Sequence, residues 1–347
     1  MTADEALKAA VSGLLGRAVT AVEPVHAGGN NRVFRVTDDR GAVFLAKQYL
    51  SPSMDGRNRM ETEYGALSLL RGHGFANVPA PVARAGTGDL ALYEFIEGAP
   101  AAGTVTDTDL NRILLFLIRL ARLGRELPES AAPRAAEACF SLRELEGNIR
   151  GRAETLLALG GDGGPAREMR DFVNRRALPA LGDAAAWAES RLAARGLSAE
   201  QAIPRHERVL SPSDFGPHNA LRTAEGALAF VDFEYFGWDD PAKTLSDFLL
   251  HPATPLSAAQ KQRVSKIFLE GLPEWELAPE RFPAAHPLFA VKWGMILLNG
   301  FIPAHAEKRR ALGKPCGPEF LAEQLEKAEH MLRTAAAWMK EQRFIDD

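Results

Sequence analysis

The 347-residue chain is 46% hydrophobic and 25% charged with a formal net charge of −4, which suits a soluble globular protein and gives no basic footprint for nucleic acid. Its two cysteines, Cys139 and Cys316, lack metal-ligand spacing and fit a reducing compartment, although a single bridge between them is compatible with the sequence. Asp4 and Glu5 at the start argue against a signal peptide, and no run approaches ~18 uninterrupted apolar residues, so a cytoplasmic protein with no membrane span is expected.

The chain opens as a helix followed by strands. Gly28-Gly29-Asn30-Asn31 forms a turn before an alternating apolar segment. Gly and Asn tolerate positive φ, so the turn can bring backbone N–H groups close to a phosphate; it reads equally as an ordinary hairpin turn. Ala42 to Tyr49 reads as a strand with one lysine, Lys47, in its apolar run. Burying that ammonium is costly without an anion, and Glu63, on a predicted helix over about 58–71, is the candidate partner. Leu90 to Gly98 then reads as a strand leaving through a glycine hinge.

From Asp107 the pattern turns helical. Asp107 is the expected N-cap, Ser141-Leu-Arg-Glu144 and Ser257-Ala-Ala-Gln260 read as capping boxes, and Pro179 is expected to kink or end the helix that starts near Pro165. Gly160 to Pro165 reads as an inter-helix loop rather than a phosphate loop, because no strand precedes it and no Lys-Ser/Thr follows. The stretch Phe289 to Phe301 suits a buried helix, and a last helix over about 318–341 carries one apolar stripe for packing.

The informative stretch lies between these helices: Asp214-Phe-Gly-Pro-His-Asn219, then Asp232-Phe-Glu234. Phosphoryl transfer needs a carboxylate to orient an acceptor hydroxyl and take its proton. It also needs an amide oxygen and a second carboxylate to hold Mg²⁺ on the nucleotide phosphates. Asp214, Asn219 and Asp232 fit those roles in that order. Alone, Asp214 and Asn219 read as turn residues beside Pro212 and Pro217. The ordered series of turn, strand lysine, helix glutamate, hinge, Asp-x4-Asn and Asp favours the catalytic reading.

On these residues and on Gly237-Trp-Asp-Asp-Pro241, the chain resembles the aminoglycoside phosphotransferase and choline kinase superfamily from about Gly28 to Phe248. The resemblance implies an α+β, two-lobed, protein-kinase-like fold. Residues 1–97 would be an N-terminal nucleotide-binding lobe with an antiparallel sheet and a helix. Residues 98–347 would be a larger, mainly helical lobe carrying the catalytic loop and acceptor pocket. It implies ATP and Mg²⁺ as cofactors, Lys47 on the nucleotide phosphates with Glu63 holding it, and the backbone of Glu94 and Ile96 facing adenine. It also implies Asp214 as catalytic base and Asn219 and Asp232 on the metal. One position departs: Pro212 stands where the family commonly has a histidine that braces the loop, and His218 is the expected substitute brace.

The expected activity is transfer of a γ-phosphate to a hydroxyl of a small molecule, by a monomer or homodimer. A nucleotide-binding pseudokinase acting as a regulatory module is the alternative, disfavoured because the whole constellation is present. A protein kinase is disfavoured because no Ala-Pro-Glu follows Asp232 and Glu234 replaces the glycine of Asp-Phe-Gly. No Gly-x-Ser-x-Gly elbow supports a hydrolase triad, and no histidine spacing supports structural zinc. Asp239 and Asp240 read either as cation binders or as helix caps, and Trp238 as pocket wall or core. Arg112, Arg119, Arg122, Arg125, Arg143, Arg150 and Arg152 make the 107–200 segment basic. A sugar-like or amino-alcohol acceptor is therefore expected over a polycationic aminoglycoside.

Overall fold

The computed structural model describes residues 3–25, 31–49, 56, 58–86, 89–103, 105–160, 163–311 and 313–346. The chain divides into two compact units, Met1–Asp109 with Pro217–Gly237, and Leu110–Gly216 with Trp238–Asp347. The first unit thus takes in 98–109 and 217–237 in addition to the expected stretch 1–97.

In the first unit, α1 (Ala3–Leu15) precedes an antiparallel sheet of β1 (Val19–Val25), β2 (Asn31–Asp38), β3 (Val43–Tyr49), β4 (Pro81–Arg84) and β5 (Leu90–Glu94), in the order β1-β2-β3-β5-β4. Strand alternation sorts its two faces. Val36, Ala46 and Leu92 point to one side and bury against Val11, Leu7, Leu14 and Leu15 of α1. Asn31, Val33, Leu45, Lys47 and Tyr93 fall on the other side, fixed there by the pairings Val33↔Lys47 and Leu45↔Tyr93. Helix α2 (Arg59–Gly72) buries Met60, Glu63, Leu67 and Leu70 at helical spacing, and Asn58 caps it by accepting from the Glu61 N–H.

A second small sheet explains the larger first unit. Strand β6 (Ala99–Pro100) pairs with β7 (Ala220–Arg222), which pairs with β8 (Leu228–Phe230). Gly98 makes this possible: a Cβ there would lie 2.9 Å from the Arg222 carbonyl oxygen. Asp109 accepts both Arg222 guanidinium nitrogens at 2.8 and 2.9 Å and so ties β7 to the start of α3 (Asp107–Glu126). The expected cap at Asp107 is corrected. Thr106 caps this helix, and Asp109 closes the reciprocal box by accepting from the Thr106 N–H.

The second unit is helical: α4 (Leu142–Leu157), α5 (Gly164–Phe172), α6 (Leu178–Ala193), α7 (Pro241–Leu250), α8 (Ala258–Glu270), α9 (Ala278–Leu297), α10 (Pro303–Ala311) and α11 (Pro318–Glu341). Helix α9 is the core, buried on nearly every side and packed by α4, α6, α7 and α11. Pro287 removes the N–H that would satisfy the Pro283 carbonyl, and the Trp338 indole of α11 donates to that carbonyl at 2.9 Å. Pro179 does not end its helix. A π turn over Val173–Ala177 carries the chain from α5 to α6, with Pro179 in the first turn, where its missing N–H costs least. Ser257 and Gln260 form the full capping box. Ser141 caps α4, but Glu144 reaches the N–H of Phe140 instead of that of Ser141. Both cysteines are free, and among the described residues no single helix is long and apolar enough to cross a membrane.

Candidate active site

The first unit holds a cavity of about 410 Å³ against the face of the sheet opposite α1. Its walls are apolar where Val33, Leu45, Leu67, Leu221 and Val231 meet, and Glu94, Phe95 and Ile96 form one edge. Apolar walls with a few convergent polar groups are the usual make-up of a small-molecule site. Here those groups are Asn31, Lys47, Glu63, Asn219 and Asp232. The structure therefore brings together every sequence-derived nucleotide and metal candidate except Gly28, Gly29 and Asn30, which lie outside the described residues.

Lys47 is the centre of the charge arrangement. Its Nζ lies 2.6 Å from Glu63 Oε2, 2.6 Å from Asp232 Oδ1 and 3.8 Å from Glu234 Oε2. Burial works against the ammonium, but Asp232, then Glu63 and Glu234, outweigh it and hold Lys47 well above the usual lysine range. Burial pushes the Glu63 carboxyl up against the pull of Lys47. Glu63 is held by further donors: the Tyr49 hydroxyl at 2.6 Å and the Phe233 N–H at 3.3 Å. Glu234 accepts from Asn31 Nδ2 at 2.6 Å and from Arg59 at 3.3 Å. Three carboxylates thus face two cations. Oxygens of Glu63, Asp232 and Glu234 all lie within 4.8 Å of one another.

Backbone geometry aims the key carboxylate. Asp232 adopts φ +68°, a left-handed conformation that costs a non-glycine residue about 1–3 kcal/mol and persists only where surroundings enforce it. The hairpin β7–β8 supplies that enforcement, with the Val231 N–H donating to the Asn219 carbonyl at 2.9 Å.

Asp214 belongs to the second unit, in the loop after the strand Val209–Ser211. The residue before it, Ser213, also has positive φ, at +69°. Its hydroxyl donates to the Ala136 carbonyl at 3.0 Å and accepts from Lys243 Nζ at 2.9 Å. Lys243 is buried and also contacts Asp239 at 2.8 Å and Asp247 at 2.9 Å. These contacts brace the residue before Asp214, and His218 lines the first-unit cavity. His251 Nε2 lies 3.3 Å from Asp214 Oδ1.

Other expectations resolve toward structure. Asp240 caps α7 through the Ala242 N–H and pairs with Arg281 at 2.6 Å, while Asp239 is sealed on Lys243. Burial pushes the Asp239 carboxyl up to about 6, with Lys243 opposing it. Neither aspartate is available to a cationic ligand. Trp238 is core: Gly124 and the Arg205 guanidinium pack against its ring, and its indole donates to the Glu129 carbonyl. The arginines do not make a bare basic surface. Arg143 pairs with Glu146, Glu189 and Glu200, Arg150 with Glu146, and Arg152 with Glu137. The reading missed Arg59, Lys243 and His251. For Lys243 a signal existed in Asp239-x3-Lys243-x3-Asp247, i,i+4 spacing of opposite charges at the start of a helix.

No curated protein matches the chain. Among solved structures, a spectinomycin phosphotransferase in complex with ADP and spectinomycin superposes with a TM-score of 0.64 at 12% identity, covering 94% of this chain and 98% of its own. A macrolide 2′-phosphotransferase from Brachybacterium faecium gives 0.56 at 20% identity, covering 90% and 99%. The choline kinase of Streptococcus pneumoniae gives 0.52 at 18%, covering 95% and 98%. These likenesses establish a kinase-like fold. A family model spanning residues 21–277, most of the chain, matches as well, and the chain belongs to the phosphotransferase enzyme family.

Proposed function

We propose that the chain transfers the γ-phosphate of ATP to a hydroxyl of a small molecule, with Mg²⁺. The observation that carries this reading is Lys47, held as a buried cation between Glu63 and Asp232 at the wall of a cavity. There Lys47 would contact the phosphates, and the apolar walls would take the adenine. The Glu94 N–H already donates to the Ala80 carbonyl, so the adenine edge would be read by the Glu94 carbonyl and the Ile96 N–H. The ADP-bound spectinomycin phosphotransferase lends support.

The donor set fits a hard divalent cation: carboxylate oxygens of Asp232, Glu234 and Glu63 within 4.8 Å, with the Asn219 amide on the same cavity. Asp232 and Asn219 would hold Mg²⁺, which when bound neutralises charge on the transferring phosphoryl group. Asp214 would orient the acceptor hydroxyl and receive its proton.

For the acceptor, a neutral polyol or a single amine is favoured over a polycation, for a reason other than basic surface. In the second unit Asp239, Asp240 and Glu137 each meet a lysine or arginine of the same unit, which leaves no surplus of negative charge there. The test is ADP release from MgATP across hexoses, nucleosides, choline-like alcohols and aminoglycosides, with nucleotide binding measured by calorimetry. Mg²⁺-dependent turnover of a hydroxylated metabolite is expected. Failure to bind MgATP would overturn the proposal, and efficient turnover of aminoglycosides alone would overturn the acceptor class.

A further inference from the structure

We infer that His251 is a positioning residue that fixes the orientation of the Asp214 carboxylate through a hydrogen bond from Nε2–H. The role rests on Asp214 being the base. The observations come from the second unit alone. Helix α7 ends at Leu250, and His251 is its C-cap. Lys243, Asp247 and His251 therefore follow one another at i, i+4 and i+8 along one stripe. The three enclose the Asp214 loop. Lys243 reaches the Ser213 hydroxyl at 2.9 Å, and Asp247 pairs with Lys243 and accepts from the Trp293 indole at 2.9 Å. Trp293 meets the His251 ring edge-on at 4.9 Å and 82°, and His251 Nε2 faces Asp214 Oδ1 at 3.3 Å. The circuit closes through the Ser213–Asp214 peptide.

The tautomer follows from the ring's other nitrogen. The Ala253 N–H points at His251 Nδ1, 3.1 Å away. A nitrogen that accepts from an amide cannot itself carry a hydrogen, so in the neutral ring the hydrogen is on Nε2, facing the Asp214 carboxylate. The distance of 3.3 Å is long for such a bond. A ring pinned by an amide, an indole and a carboxylate has little freedom. Its effect is to stop the carboxylate from rotating, which preserves the approach geometry of the acceptor. When the acceptor oxygen bonds to phosphorus and the bond to ADP breaks, the hydroxyl proton passes to Asp214. His251 exchanges no proton.

Two variants and a spectrum test this. His251→Phe keeps the ring against Trp293 and removes the donor; His251→Gln restores an N–H donor. MgATP turnover with water as acceptor needs no identified substrate. His251→Phe is expected to lower kcat roughly ten- to hundredfold by misorienting the base, with KM for MgATP unchanged and the fold intact by thermal melting. His251→Gln should recover most of the loss. The ¹⁵N spectrum of the imidazole should show hydrogen on Nε2, with a resonance that moves in Asp214→Asn. Wild-type kcat in His251→Phe, or hydrogen on Nδ1, overturns the inference. A wild-type protein that binds no MgATP overturns the phosphotransfer reading and the positioning role with it, while the spectrum still judges the hydrogen bond by itself.

Discussion

Each unit contains a group of carboxylates gathered around a buried lysine, and the two groups have opposite fates. In the first, Glu63, Asp232 and Glu234 surround Lys47, and the Asp232 side chain is 31% exposed on a cavity wall. In the second, Asp239 and Asp247 surround Lys243 while Asp240 holds Arg281, and the Asp239 and Asp240 carboxylates are sealed. Composition does not separate them, nor does the length of the ion pairs. Charge balance does not separate them either, since three carboxylates face two cations in each; access to open space does. A ligand can enter only the first, so substitutions there should change chemistry, and substitutions in the second should change stability.

The contrast breaks most visibly at the reacting groups. Asp232→Ala is expected to cost about a thousandfold in turnover and to abolish Mg²⁺-dependent nucleotide binding, with melting temperature little changed. Asn219→Ala, losing only an amide dipole, should weaken that binding less. Asp214→Asn should lower turnover roughly a hundred- to ten-thousandfold while leaving nucleotide binding intact. Calorimetry alongside ADP release measures all three.

In the sealed group, Arg281→Met should behave in the opposite way. It strands the buried Asp240 charge, and a loss of about 3–5 kcal/mol in denaturant unfolding is expected, without a specific change in KM for MgATP. Equal loss of binding and stability at both sites would erase the distinction.

Gly98→Ala should show a smaller effect of mixed kind. The added methyl meets the backbone oxygen of Arg222, which cannot rotate away. The expected cost is about 1–3 kcal/mol, with weaker nucleotide binding because β7 carries the chain onward from Asn219.

The smallest effect sharpens the comparison through pH. Burial alone would raise the Glu137 carboxyl, but Lys292, Arg152 and Asn148 outweigh it and bring it down to about 2, against an ordinary value of 4.5. A lowered carboxyl contributes stability that is complete above 4.5 and is lost as pH falls toward 2. Glu137→Gln should lower the melting temperature modestly at neutral pH and flatten the acid limb in that window, so that variant and wild type converge as pH falls toward 2.

The sequence was most legible where chemistry forces a local answer. A lysine in an apolar strand needs an anion, and Glu63 meets it. The ends of α2 and α11 and the box at Ser257 follow from spacing and caps. What escaped was set by distant partners. Asn31 and Glu234 meet across nearly the whole of the family match, and Ser213 is braced by a lysine from a later helix. Asp239 and Asp240 are ambiguous as sequence because their partners, Lys243 and Arg281, decide their role. No periodicity reports that His251 will face Asp214.

The interrupted make-up of the first unit bears on how the protein is made. Ribosomes deliver the sheet, Lys47 and Glu63 early, but β7, β8 and Asp232 emerge only after several helices of the second unit. Until then the nascent chain carries a half-built cavity, with Lys47 short of one of its anions and β6 without its strand partner. Fragments that stop before Asp232 cannot assemble the nucleotide site, however well their sheet folds, so the site is completed only after about two thirds of the chain has emerged.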